Sequence, residues 1–189
     1  MSSFGVKYME EIYKGDYEDL KTIKFYSRFL KMSIRGIKNY INLDNDKWLH
    51  TFTTNCYSFA LGLDIKEYKI AYCAYQPGII YSLYSKNDIM DLVNLTYEQR
   101  MLLDFKALGI ELDKQGDLNW KIALFENKRD FHFLRQMNDG IWMHKKGYVD
   151  FPSEYDDNKK IITDIDDCYF LGANGVYKKV GVYNLSLKR

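Results

Sequence analysis

Residues 130–147 read DFHFLRQMNDGIWMHKKG, and the fold turns on how this stretch is laid out. Asn138-Asp139-Gly140 is a turn signal between two strand-like runs, 131–137 and 141–145, which predicts a β-hairpin. A three-residue loop suits these residues: a type I turn followed by glycine in the left-handed region. In that register Met137 faces Ile141, and His132, Leu134 and Gln136 share a face with Trp142, His144 and Lys146. His132 and His144 then become diagonal neighbours, about 6 to 8 Å apart at Cα. A two-residue Asp139-Gly140 loop would put them on opposite faces, so the shared face depends on the turn type.

Working outward, the apolar run from Trp120 to Phe125 predicts a further strand. On the other side, residues 150–167 are acidic and loop-like, and Cys168–Leu171 and Val176–Leu187 read as final strands around Ala173-Asn174-Gly175. Upstream the pattern is helical. Residues 86–109 carry Ile89, Leu92, Val93, Leu95, Leu102, Leu103, Phe105 and Leu108 as core candidates, with Gly109 as the stop. Gln76-Pro77-Gly78 is a turn signal. A short helix begins at Asn55 or Cys56, runs through Tyr57, Phe59 and Leu61, and stops at Gly62. Residues 17–42 predict one long amphipathic helix whose apolar stripe is flanked by a basic one at Lys21, Lys24, Arg28, Lys31, Arg35 and Lys38. Such a stripe suits an acidic partner or nucleic acid, or is simply a solvated face beside a core stripe. Helices first and a meander after predict an α+β fold with helices packed on an antiparallel sheet.

The 189 residues suggest one domain (51–189) with an N-terminal helical extension (1–50). A net charge of +1 argues against a polyanionic partner for the chain as a whole. The three cysteines, Cys56, Cys73 and Cys168, form neither a CxxC pair nor metal-knuckle spacing, which favours a reducing compartment. The first twenty residues hold no apolar signal core, and no stretch approaches a membrane span. The expectation is a cytoplasmic protein without a cofactor.

The chemistry-bearing residues are few. A thiol nucleophile needs a lowered pKa, access, and a base within reach. Cys56 follows Asn55, a preferred N-cap residue, so it sits where unpaired N–H groups and the helix dipole favour a thiolate and offer part of an oxyanion hole. Taken alone, a cysteine at a helix start is more often a small buried hydrophobe. His132 and His144 change the balance, since a shared strand face suits a base and its orienter. Taken alone, His132 reads rather as a satisfied strand histidine and His144 as an exposed edge residue. A metal held by the two histidines and a cysteine is a third reading, without zinc-site spacing. Asp164, Asp166 and Asp167 near Cys168 are best read as loop carboxylates, with cation binding or orientation of His132 as the alternatives. Cys73 and Cys168 read as structural. Trp142 lines a substrate groove or packs in the core.

Two of these stretches carry a family resemblance. Asn55-Cys56-Tyr57-Ser58-Phe59-Ala60-Leu61-Gly62 resembles an NCYAYALG-type motif, and residues 130–147 resemble a DYHFYRQDSDGTWSHKPG-type motif. Both belong to bacterial and phage proteins that look like papain-fold thiol hydrolases, related to NlpC-type peptidases. Gln76-Pro77-Gly78 and Ile162-Thr163-Asp164 fall in the same order, and the likeness spans roughly residues 55–170. Lys146 stands in place of the family's usual Pro and Met143 in place of its usual Ser. The resemblance implies a papain-like fold and a Cys56-His132-His144 constellation acting on a protein or peptide substrate.

The resulting expectation is a thiol hydrolase or acyl-transfer enzyme (peptidase, amidase or deamidase). Cys56 attacks, His132 shuttles the proton and His144 orients it. Asn55, Gln76 and Trp142 serve the oxyanion or the substrate. The rival expectation is a phage or bacterial accessory protein that blocks a host protein without catalysis, using the basic face of residues 21–38.

Overall fold

The computed structural model describes residues 55–63, 76–85, 92–113, 120–128, 130–147 and 151–187. The basic helix of 17–42, the extension of 1–50, Ile89 and Cys73 lie outside the described residues. The elements are helices α1 (Cys56–Ala60), α2 (Ile79–Ser85) and α3 (Tyr97–Leu108), followed by strands β1 (Ile110–Leu112), β2 (Lys121–Glu126), β3 (Phe131–Gln136), β4 (Trp142–His144), β5 (Leu171–Gly172), β6 (Gly175–Val176) and β7 (Lys178–Leu187). The main sheet is antiparallel in the order β1-β7-β2-β3-β4, and β5-β6 form a separate hairpin. The chain is therefore α+β, with helices packed on an antiparallel sheet.

The β3–β4 hairpin takes the three-residue loop. Met137 N–H donates to the Ile141 carbonyl, Gly140 N–H donates to the Met137 carbonyl, and Gly140 has φ +88°. Leu134 faces His144 and Gln136 faces Trp142. The Asp139 carboxylate accepts from Ile141 N–H and closes the turn.

Alternation along β2 and β3 splits the core into two layers. Ile122, Leu124, Phe131 and Phe133 face α1 and α3, packing with Tyr57, Ala60, Met101, Phe105 and Leu108. Ala123, Phe125, Leu134 and Trp142 face the other way, onto Ile162, Ile165 and Phe170 of the loop that returns beneath the sheet. Every residue of such strands is buried except at the ends, which explains the near-continuous apolar runs.

Two expectations need correction. α3 does not begin near residue 86: Thr96 caps it by accepting from Gln99 N–H, and the Gln99 side chain returns the bond to Thr96 N–H. Leu92, Val93 and Leu95 instead pack around Ile79 in a side cluster. The last strand also divides. Residue 177 separates β6 from β7, so the 176–187 run serves two sheets. Cys168 lies ahead of β5, outside any strand.

Candidate active site

α1 has only five residues, too few to stand alone in water, so its ends and contacts must hold it. The Asn55 side-chain oxygen accepts from Ser58 N–H at 3.0 Å and caps the start. At the other end Gly62 (φ +71°) is left-handed, with Gly62 N–H on the Phe59 carbonyl and Leu63 N–H on the Ser58 carbonyl. That is a Schellman ending, and it explains why glycine follows Leu61. The Trp120 indole N–H reaches the Ala60 carbonyl at 2.9 Å, and the Tyr57 ring lies 4.7 Å from that of Phe133. The helix is thus clamped to the sheet along its whole length.

Cys56 opens this helix and is 6% exposed. The backbone N–H groups of Phe133 and of Tyr57 lie beside its sulfur and favour the thiolate. Phe133 is available because it lies one residue beyond the last β3–β4 pair, Leu134 with His144. Burial nevertheless pushes the thiol up to about 12, against the pull of those two N–H groups. The nearby Asp130 charge raises it further and Lys145 opposes it. At neutral pH the resting sulfur is a protonated thiol.

His132 and His144 lie in direct contact. His132 Nε2 is 2.8 Å from His144 Nδ1, and His144 Nε2 is 2.8 Å from the Tyr155 carbonyl oxygen. Only an acceptor stands at Tyr155, so His144 carries its proton on Nε2 and accepts on Nδ1. His132 then donates from Nε2, which leaves its Nδ1 as the basic nitrogen. A proton taken up there makes an imidazolium that keeps every bond of the chain. Phe170 packs on both rings at 4.8 Å, and Tyr177 lies 5.7 Å from His132 with its hydroxyl bonded to Asp130.

Burial is the main cause that drops His132 well below the ordinary histidine value, with His144 and Lys146 adding to it. His144 is lowered too, chiefly by burial, and the Tyr155 bond opposes the shift. Both rings are neutral in the fold. A histidine with a lowered folded pKa stabilises the protein above its unfolded value near 6.5. That stability is lost as pH falls through 6.5, at up to about 1.4 kcal/mol per pH unit per ring. The stability advantage of wild type over His132→Gln is expected to shrink between pH 7.5 and 5 in urea titrations. An advantage that holds constant over this range would show that the ring is not kept neutral.

The expected site residues are thus placed as follows. His132 and His144 are joined directly. Cys56 reaches the backbone of Phe133, the residue after His132, and no hydrogen bond joins the thiol to the imidazole among the described residues. Strand alternation accounts for this: α1 packs on the Phe131/Phe133 face, while His132 turns to the Phe170 face. Asn55 places its side-chain oxygen on the helix cap. Gln76 is half-buried in the turn before α2, where its carbonyl accepts from Ile79 N–H. Trp142 is 4% exposed and packs in the lower core, not along an open groove. The acidic loop is engaged locally: Asp164 accepts from Asp166 N–H, and Asp166 pairs with Lys179. Among the described residues no group of histidine, cysteine and carboxylate side chains is arranged to hold a metal. No described helix is long and apolar enough to cross a membrane.

Two participants escaped the sequence reading. The Tyr155 carbonyl is backbone, and no residue type announces it. Asp104 is a fully buried carboxylate that accepts from the Tyr57 hydroxyl beside Cys56. Its signal was present, since position 104 falls on the same helix face as Met101, Phe105 and Leu108.

No protein-family model matches this chain, and neither a curated protein nor a solved structure matches it.

Proposed function

We propose that the chain is a papain-like thiol hydrolase or acyl-transfer enzyme acting on an amide bond. The observation that carries this reading is the relay His132–His144–Tyr155 carbonyl, which leaves one basic imidazole nitrogen on the residue next to the Phe133 N–H that holds the Cys56 sulfur. In the proposed reaction Cys56 attacks the substrate carbonyl as His132 Nδ1 takes its proton, and a tetrahedral intermediate forms. His132 then returns the proton to the amine as the C–N bond breaks, leaving an acyl-thioester on Cys56. Water, or a second nucleophile, releases the acyl group with the same histidine as base. The resting thiol and imidazole are both neutral and buried on opposite faces of β3, so the reaction requires substrate to bring the two groups together past the strand. The vacated N–H groups of Phe133 and Tyr57 then favour a developing oxyanion.

A peptidyl acyloxymethyl ketone, which needs an attacking thiolate and a histidine partner, tests this. Cys56 is expected to be modified faster than Cys168 in wild type and to drop to the Cys168 rate or below in His132→Ala. Modification of Cys56 that is no faster than that of Cys168, or that ignores the loss of His132, would remove the enzyme reading. The rival, a protein that binds a host partner without catalysis, draws on the burial of the thiol. It requires Cys56→Ala to retain full biological effect.

A further inference from the structure

The third helix holds a carboxylate that the proposed reaction does not use. Asp104 is completely buried, and three donors from other elements converge on it. Oδ2 accepts from the Tyr57 hydroxyl of α1 at 2.8 Å and from Gly78 N–H at 2.7 Å, and Oδ1 accepts from Tyr81 N–H of α2 at 2.8 Å. Three donors with no acceptor describe an ionised carboxylate. Tyr57 makes the link specific. Its hydroxyl reaches Asp104, while its own backbone N–H is one of the two that hold the Cys56 sulfur.

We infer that Asp104 is a positioning residue for Cys56: as a carboxylate it latches the thiol-bearing helix to α2 and α3, and protonation loosens the latch. This rests on the reading of Cys56 as nucleophile, but it is tested on the thiol directly. Gly78 has φ +98°, and a Cβ there would stand 2.9 Å from Leu92 Cδ1 and 3.2 Å from Arg100 Cβ. The groups facing the carboxylate are the Tyr57 hydroxyl from α1 and the Gly78, Ile80 and Tyr81 amides from α2 and its turn. Arg100, one turn earlier on α3, directs its guanidinium to the Val93 and Leu95 carbonyls. Burial pushes the Asp104 carboxyl up to about 7, with the three amides and Tyr57 opposing. Tyr57 is held well above the ordinary tyrosine value and stays protonated throughout. As pH falls through about 7 the carboxyl gains a proton that the amides cannot accept, so either an amide contact is given up or the Tyr57 hydroxyl turns from donor to acceptor.

The experiment is site-resolved alkylation of the full chain by iodoacetamide from pH 5.5 to 9, with Cys168 as internal reference. Both thiols titrate well above this range, so for unlinked sites the Cys56-to-Cys168 rate ratio is flat. In wild type the ratio is expected to rise several-fold as pH drops through about 7, because α1 loosens. In Tyr57→Phe it is expected to be flat, since the ring stays but the tether to Asp104 is gone. Asp104→Asn gives the same flat profile. His132 and His144 are unchanged in both variants, so their titration does not mimic the effect. A flat wild-type ratio, or a rise that persists in Tyr57→Phe, overturns the latch. A purely structural role lowers the melting temperature of Tyr57→Phe with the pH profile intact, and this too overturns it. Absence of amide turnover would defeat the enzyme reading and leave the alkylation result standing.

Discussion

Cys56→Ala is expected to lower amide turnover by at least about a thousandfold, since only binding and oxyanion contributions survive loss of a nucleophile. The fold should withstand the change. The sulfur sits in a cluster with Tyr57, Phe131 and Phe133, and its removal leaves a small cavity and one unanswered amide at Phe133. Together these cost about 2 kcal/mol. Cys56→Ser separates the two losses: it keeps an acceptor for the Phe133 N–H but has a far poorer nucleophile. It should therefore melt close to wild type and be as inactive as alanine. His132→Ala should match Cys56→Ala in turnover without adding to it, because in the proposed reaction thiol and base act as a unit. His144→Ala keeps the base and loses only its orientation, so a smaller defect is expected. These outcomes are read with a peptide–coumarin amide library, with circular dichroism confirming the fold. Full turnover by Cys56→Ala would end the proposal.

Trp120→Ala should produce the largest loss of stability, about 3–5 kcal/mol. Trp120 stands just before β2 and is 2% exposed. Its ring fills the layer between sheet and helices, and its N–H satisfies the carbonyl of Ala60, the last residue of α1. An alanine leaves both a cavity and a buried carbonyl without its donor. Trp120→Phe restores most of the volume but not the donor, and should cost about 1–3 kcal/mol. Because the lost bond ends on the thiol-bearing helix, Trp120→Phe should also speed hydrogen exchange at the α1 amides more than in β2. Urea melts and exchange read by mass spectrometry decide this. A Trp120→Phe protein as stable as wild type, with α1 protection intact, would show that the indole bond is dispensable.

The hairpin was legible because its determinants are local. Asn138-Asp139-Gly140 specifies the loop, the loop specifies the register, and the register puts His132 and His144 on one face. Their 2.8 Å contact follows from a handful of neighbouring residues. α1 was legible for the same reason, since Asn55 and Gly62 mark its ends chemically. Upstream of α3 the apolar residues at 92–95 keep a helical rhythm, but the capping pair Thr96 and Gln99 overrules it. Trp142 shows the limit of type-based reasoning: an aromatic on a strand suits a groove or a core, and only the loop at 162–170 beneath it selects the core.

The amino-acid sequence by itself determined the α+β class, the hairpin with its paired histidines, and the cysteine at the head of a short capped helix. These depend on turns, caps and alternation, which act over a few residues. Tertiary structure alone decided which backbone groups meet the thiol, which carbonyl ends the histidine relay, and that Asp104 lies under Tyr57. The Cys56–Phe133 and Tyr57–Asp104 contacts join residues tens of positions apart, and the partners at Phe133 and Tyr155 are main-chain atoms that every residue carries. Burial decided the charge states as well: the same thiol and imidazoles that the sequence offers for catalysis are held neutral, because the packing around them removes the water that would solvate their ions.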